Sequence, residues 1–143
     1  MHRAEHTVDI GRPPSEVFPY LVEPDLMQTW IGGLVAFTPL DDGPALGARS
    51  RQTVQQGGRT FDVESEIVEL IPDERLAARA TASSLTTLLT YALEPIPAGT
   101  RVHATIETEL HGLAGRLLGG IAGAAAERKL AADLDRLAHL LAA

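Results

Sequence analysis

Residues 100–141 read TRVHATIETELHGLAGRLLGGIAGAAAERKLAADLDRLAHLL, and the spacing of their apolar residues changes once, near His111. Before that point Val102, Ala104, Ile106, Thr108 and Leu110 alternate with Arg101, His103, Thr105, Glu107 and Glu109. This is the period of two expected of a strand with one buried and one wet face. After it, Leu113, Leu117, Ile121, Ala124, Ala125, Leu130, Leu134, Leu137 and Leu141 keep one stripe at helical spacing, while Arg128, Asp135, Arg136 and His139 fall mostly off it. The spacing predicts a strand over 100–110 and one long helix over about 113–141, packed on the sheet's apolar face.

Working back toward the N-terminus, the period-two signal persists, punctuated by Gly, Pro, Asp and Ser. It predicts strands over 34–39, 47–56, 59–70, 75–81 and 85–95, and a first strand over 4–10 with Ala4, His6, Val8 and Ile10 on its inner face. Between the first two strands the period changes. Pro13 and Pro14 suit a helix start, Pro19 keeps that helix short or kinked, and Pro24 opens a second short helix ending near Trp30.

The length of 143 residues fits one domain, 1–143, able to bury roughly two thirds of its unfolded surface. With no cysteine, a net charge of -7 and no Lys/Arg run, the chain has no disulfide or thiolate chemistry and is a poor partner for nucleic acid or an anionic membrane. The expected location is cytoplasmic, since the N-terminus has no apolar signal-peptide core. Leu117 to Ala126 is too short to span a bilayer, which takes about 20 apolar residues, so membrane insertion is not expected although Gly115, Gly119 and Gly123 have the GxxxG spacing.

Chemistry-bearing residues are sparse. Glu107 and Glu109 share a strand face, as do Glu64 and Glu66, but it is the charged, wet face. His103 and His111 lie roughly 26 Å apart along an extended strand, too far for one metal ion, and His2 and His6 have no helix to bring them together. No GxSxG, Walker or GxGxxG motif occurs, and neither a metal nor a cofactor is expected. Strand parity does turn a few polar groups inward: Tyr91 between Leu89 and Leu93, Ser65 between Val63 and Ile67, Gln52 beside Val54, and His6. Each is either a ligand contact or a core residue satisfied by backbone or water. Arg49 and Arg51 alternate with Ala48 and Ser50 and are expected to point outward.

The order of elements, with IGRPPSEVFPYLVEPDLMQTWIGGL (10–34), GARSRQ (47–52), EIVELIPDERLAAR (66–79), TYALEPIPAGTRV (90–102), GRLLG (115–119) and DLDRLAHLL (133–141), resembles the START/Bet v 1-like (SRPBCC) superfamily, in particular its bacterial polyketide cyclase/dehydrase-like branch. The resemblance covers almost the whole chain. It implies an α+β helix-grip fold: a curved antiparallel sheet of seven strands wrapped on the long C-terminal helix, two short helices after strand one, and a ligand cavity between sheet and helix. A small hydrophobic molecule is then the expected partner, whether lipid, polyketide or another aromatic or isoprenoid compound. Trp30, Gln52, Phe61, Val63, Ser65, Leu89, Tyr91, Leu117, Gly120, Ile121 and Ala124 are its expected contacts, with Trp30 either a lid or a core anchor. In relatives the third strand can line the pocket, which would let Arg51 hold an acidic head group.

Within the helix, Gly115, Gly119, Gly120 and Gly123 remain open to three readings: room for a ligand, close packing on the sheet, or a break near Gly119 and Gly120. A polyketide cyclase/dehydratase activity and a protein-interaction module without ligand are the alternatives to ligand binding. A homodimer is left open.

Overall fold

The computed structural model describes residues 2–56, 58–82 and 85–142, leaving aside the side chains of residues 2, 56, 82 and 112–124. Its seven strands are β1 (His2–Ile10), β2 (Leu34–Pro39), β3 (Arg49–Gln56), β4 (Arg59–Ile71), β5 (Arg75–Ala82), β6 (Leu85–Ile96) and β7 (Gly99–Leu110). They form one antiparallel sheet in the order β1-β7-β6-β5-β4-β3-β2. Each strand from β2 to β7 therefore pairs with its neighbour in the chain, and β1 closes the row beside β7.

Between β1 and β2 stand three helical turns, α1 (Pro14–Val17), α2 (Pro19–Val22) and α3 (Pro24–Met27), where the sequence predicts two short helices. The extra division falls at Pro19. A proline has no N–H to continue the preceding turn but fits the first position of a new one, so each of Pro14, Pro19 and Pro24 starts its own four-residue turn. Val17, Phe18, Leu21 and Met27 are the side chains these turns bury.

The C-terminal helix α4 (Gly112–Leu140) packs against β1 and β7. Its buried stripe, Leu130, Leu134, Leu137 and Leu141, meets Ile10, Val102, Ala104, Tyr91 and Leu93 from the sheet and Val17, Phe18, Leu21 and Trp30 from the short turns. Arg128, Asp135, Arg136 and His139 are exposed, as their place off the stripe predicts. On the opposite face of the sheet charges pair across strands, with Arg101 donating to Asp9 at 2.8 and 3.2 Å and His103 in hydrogen-bond contact with Thr7 at 2.7 Å.

The loop joining α3 to β2 is tied to α4 by one buried carboxylate. Asp133 accepts the Gly32 N–H at 3.0 Å and a guanidinium N–H of Arg136 at 3.2 Å, and pairs with Lys129 one helical turn away. Arg136 also donates to the Trp30 carbonyl at 2.7 Å, and the Trp30 indole donates to the Tyr20 carbonyl at 2.8 Å. Beyond that latch the chain turns at Gly33, whose φ of +80° favours glycine and whose Cβ, if it had one, would lie 2.4 Å from the Gln55 carbonyl oxygen. β2 can begin beside β3 only because the side chain is absent.

One irregularity falls outside the alternation read from sequence. β4 pairs Ile67 with Ala78 and then Glu69 with Ala77, so Val68 is an extra residue and the inward parity changes after it. Ile67 and Leu70, three apart, both pack toward the core.

Candidate functional site

The described residues line a partly open cavity of about 90 Å³ at the end of the sheet away from β1 and β7. Its roof is Leu21, Val22, Pro24 and Met27 of the short helical turns. Its floor is the inner face of β2 to β5, with Phe37, Pro39, Ser50, Gln52, Ser65, Ile67, Leu76 and Ala78, and one end is closed by Asp41, Gly43, Pro44 and Ala48 of the β2–β3 connection with Arg49 at the start of β3. This position follows from topology: a meander lays β2, β3, β4 and β5 side by side, and the short turns cross over them on the way from β1 to β2.

Most of the lining is apolar, and its polar groups form one patch. Ser50 and Ser65 are directly opposed across the β3–β4 pair, and the Gln52 side-chain amide leans toward the Ser50 hydroxyl at 3.4 Å. Both serines are buried. At the rim Asp41 holds Arg49 by three bonds, accepting its backbone N–H at 2.9 Å and two guanidinium N–H groups at 3.1 and 3.2 Å. The side-chain hydrogen bond from Arg49, then its backbone N–H, hold the Asp41 carboxyl below the ordinary carboxylate range. Leu46, beside the rim in sequence, is exposed.

Of the expected contacts, Gln52 and Ser65 lie in this lining. Trp30 is only 1 % exposed and lies edge-on to Tyr91 with ring centroids 6.1 Å apart, which makes it a core anchor and not a lid. Tyr91 is itself part of the core, and burial, with the Asp133 charge as a second cause, pushes its phenol well above the usual value. Leu89 packs against the same core, Val63 is half-buried on β4, and Phe61 is exposed. Leu117, Gly120, Ile121 and Ala124, with the glycines at 115, 119 and 123, lie outside the described side chains.

His6 faces α4 and contacts Asp135 at 3.0 Å, so its inward parity serves the helix contact. Arg51 is exposed and takes no part in the lining, while Arg49 reaches the rim because the β2–β3 connection folds back to it. Sequence reasoning passed over Ser50, Phe37 and the roof. Ser50 carried the same parity signal as Gln52; the roof carried none, since alternation along a strand says nothing about which segment covers it. Glu107 and Glu109 sit on the outer face, Glu109 exposed and Glu107 paired with Arg3 at 3.9 Å. Among the described residues no group of three or more His, Asp or Glu is placed to hold a metal ion, and no helix is long and apolar enough to cross a membrane.

Solved structures share this architecture. TTHA0849 from Thermus thermophilus is 20% identical, with a TM-score of 0.78 over 96% of this chain and 94% of its own. MLL2253 from Mesorhizobium loti is 20% identical, with a TM-score of 0.74 over 97% and 96%. DynU16, a protein of the dynemicin biosynthetic locus, is 19% identical with a TM-score of 0.73, the match taking in 99% of this chain and 47% of DynU16. At such identities the likeness is one of fold. No functionally curated protein matches the sequence. A family model does match, across residues 1–142, and with the seven-stranded sheet, the short turns after β1 and the C-terminal helix in place, the chain belongs to the polyketide cyclase/dehydrase and lipid transport family of the START/Bet v 1-like superfamily.

Proposed function

We propose that this protein binds a small hydrophobic molecule, a lipid, polyketide or other aromatic or isoprenoid compound, in a cavity between the sheet and its helical cover. The observation that carries the reading is the cavity over β2–β5, apolar in its walls with a few placed polar groups, the usual composition of a small-molecule site. Its volume of about 90 Å³ is small beside the roughly 300 Å³ or more typical of a drug-sized ligand site. It is therefore the seat for one end of a larger molecule. In this proposal the sheet curves round α4, and Leu117, Gly120, Ile121 and Ala124 form the helix wall that holds the remainder.

A cyclase needs a group that gives or takes a proton within reach of the substrate. The titratable residues of the described lining are Asp41 and Arg49, which are bound to each other at the rim. Tyr91 stays protonated and belongs to the core. Ligand binding without turnover is the better fit to these residues, and an interaction module has no need of a cavity.

Fluorescence titration with a neutral hydrophobic dye such as Nile red tests the proposal, using Ala78→Leu to fill the cavity floor. Saturable binding that the variant weakens at least tenfold supports it. Equal binding by both proteins, or none by the wild type, refutes it.

A further inference from the structure

Resting on the ligand-binding reading, we infer that the cavity selects neutral molecules carrying an acceptor oxygen, a ketone or an alcohol, and discriminates against both carboxylates and plain hydrocarbons. Ser65 is 7 % exposed, it lines the cavity, and its hydroxyl makes no hydrogen bond among the described residues. The residue is buried but its hydroxyl is open to the cavity, so a ligand that displaces water there leaves the O–H without an acceptor unless the ligand brings an oxygen to take its place. Ser50, directly across the β3–β4 pair and 8 % exposed, brings a second hydroxyl to the same spot. Its oxygen accepts weakly from the Gln52 amide, which leaves its own O–H free to donate. Two hydroxyl donors thus stand at facing positions of adjacent strands, beside Gln52, in a floor whose other side chains are apolar.

The charge at this end of the molecule decides against an acid. A ligand carboxylate entering the cavity would need a cation, and the lining supplies only Arg49. The Arg49 guanidinium is held at 3.1 and 3.2 Å by the two carboxylate oxygens of Asp41, so its charge is already neutralised. Asp41 would repel a second carboxylate at the same rim, and the chain's net charge of -7 adds to the repulsion. A hydrocarbon meets no repulsion but gives neither serine O–H an acceptor, which is how a site built to hydrogen-bond an oxygen rejects a molecule that lacks one.

Three probes built on one ring test this: cyclopentanone, cyclopentane and cyclopentanecarboxylate, each titrated at pH 7 while the amide resonances of the cavity lining are followed by NMR. The ketone should bind roughly threefold to tenfold more tightly than the hydrocarbon, the scale of a neutral hydrogen bond, and the carboxylate most weakly of the three. Ser65→Ala should remove most of the ketone's advantage, weakening cyclopentanone while cyclopentane, which no longer leaves that hydroxyl without an acceptor, binds more tightly. Ser50→Ala is the second variant, and combining the two should abolish the preference. Equal binding of ketone and hydrocarbon to the wild type overturns the inference and leaves the cavity reading intact. Tightest binding by the carboxylate overturns it in favour of Arg49. If no probe perturbs the lining, the ligand-binding reading falls and this inference falls with it.

Discussion

The two ends of the sheet are made from the same alternating strands and are filled in opposite ways. At the β1–β7–β6 end, inner positions hold Ile10, Val102, Ala104, Tyr91 and Leu93, and three leucines of α4 with Leu141 just beyond it press into them; Ile10, Val102, Leu134 and Leu137 are fully buried. At the β5–β2 end the inner positions are Ala78, Ser65, Ser50, Gln52 and Phe37, under four-residue turns, and a cavity remains. Alternation builds a sheet and assigns its faces. Whether that face becomes core or cavity depends on side-chain volume and on what lies above it, and here small or polar residues meet a cover made of short proline-led turns.

That contrast predicts where truncation costs most. Leu134→Ala, in the closed end, should lower stability by about 3 kcal/mol, the combined loss of transfer energy and of a cavity its neighbours cannot fill. Ile67→Ala at the open end should cost clearly less, because Ile67 is only half-buried and already borders empty space. Urea unfolding of both variants measures the difference, and equal losses would erase the distinction between the two ends.

Enlarging a side chain turns the comparison round. Ala104 has no exposed surface, so Ala104→Leu overpacks the closed end and should cost about 1 to 3 kcal/mol. Ala78→Leu places the same added atoms beside the cavity and should cost less than about 1 kcal/mol while blocking the dye. A melting temperature that drops as far for Ala78→Leu as for Ala104→Leu would mean that the open end is packed as tightly as the other.

Much of the closed end was legible in the sequence. The stripe of Leu130, Leu134, Leu137 and Leu141 and the parity of Val102 and Ala104 are local patterns, and burial follows them. Less of the candidate site was. Gln52 and Ser65 were recognisable because parity turned them inward, but the roof over them depends on how three turns cross the sheet, a long-range arrangement with no period. Trp30 shows the limit from the other side: the sequence leaves it as either a lid or a core anchor, and the Asp133–Arg136 latch draws its loop onto α4 and buries the indole. The bulge at Val68 was hidden because strand 59–70 alternates cleanly up to Ile67 and the extra residue is itself apolar.

Titration separates the ends as well. Burial raises the Tyr91 phenol above its unfolded value of 10.0, so the folded protein keeps a proton that the unfolded chain gives up. This contribution is complete below pH 10 and is lost as pH rises beyond it, by about 1.4 kcal/mol for each pH unit until the folded group ionises. Tyr91→Phe should therefore flatten the alkaline limb of the stability curve. Urea midpoints between pH 9 and 11 measure it, and parallel curves for the two proteins would mean that Tyr91 is more solvated than its place in the core requires.

The smallest effect belongs to the open end, where the group sits at the rim and a single residue holds it. Asp41 has its folded-state value depressed, first by the side-chain bond from Arg49, so its contribution is present above the ordinary carboxylate value of 3.8 and is lost as pH falls through the lower folded value. Asp41→Asn should shift the urea midpoint slightly at pH 7, and the shift should shrink as the pH falls below the ordinary carboxylate value. Backbone bonds from Leu40 to Arg49 and from Gly47 to Ile67 still hold the connection, so the loop should keep its position in the variant. What changes is charge: Arg49 loses its carboxylate partner at the cavity rim. Cyclopentanecarboxylate should then gain affinity relative to cyclopentanone, by NMR titration at pH 7. An unchanged ranking of the two probes would show that Arg49 is too exposed to act on a ligand in the cavity, and that the serine hydroxyls alone set the preference.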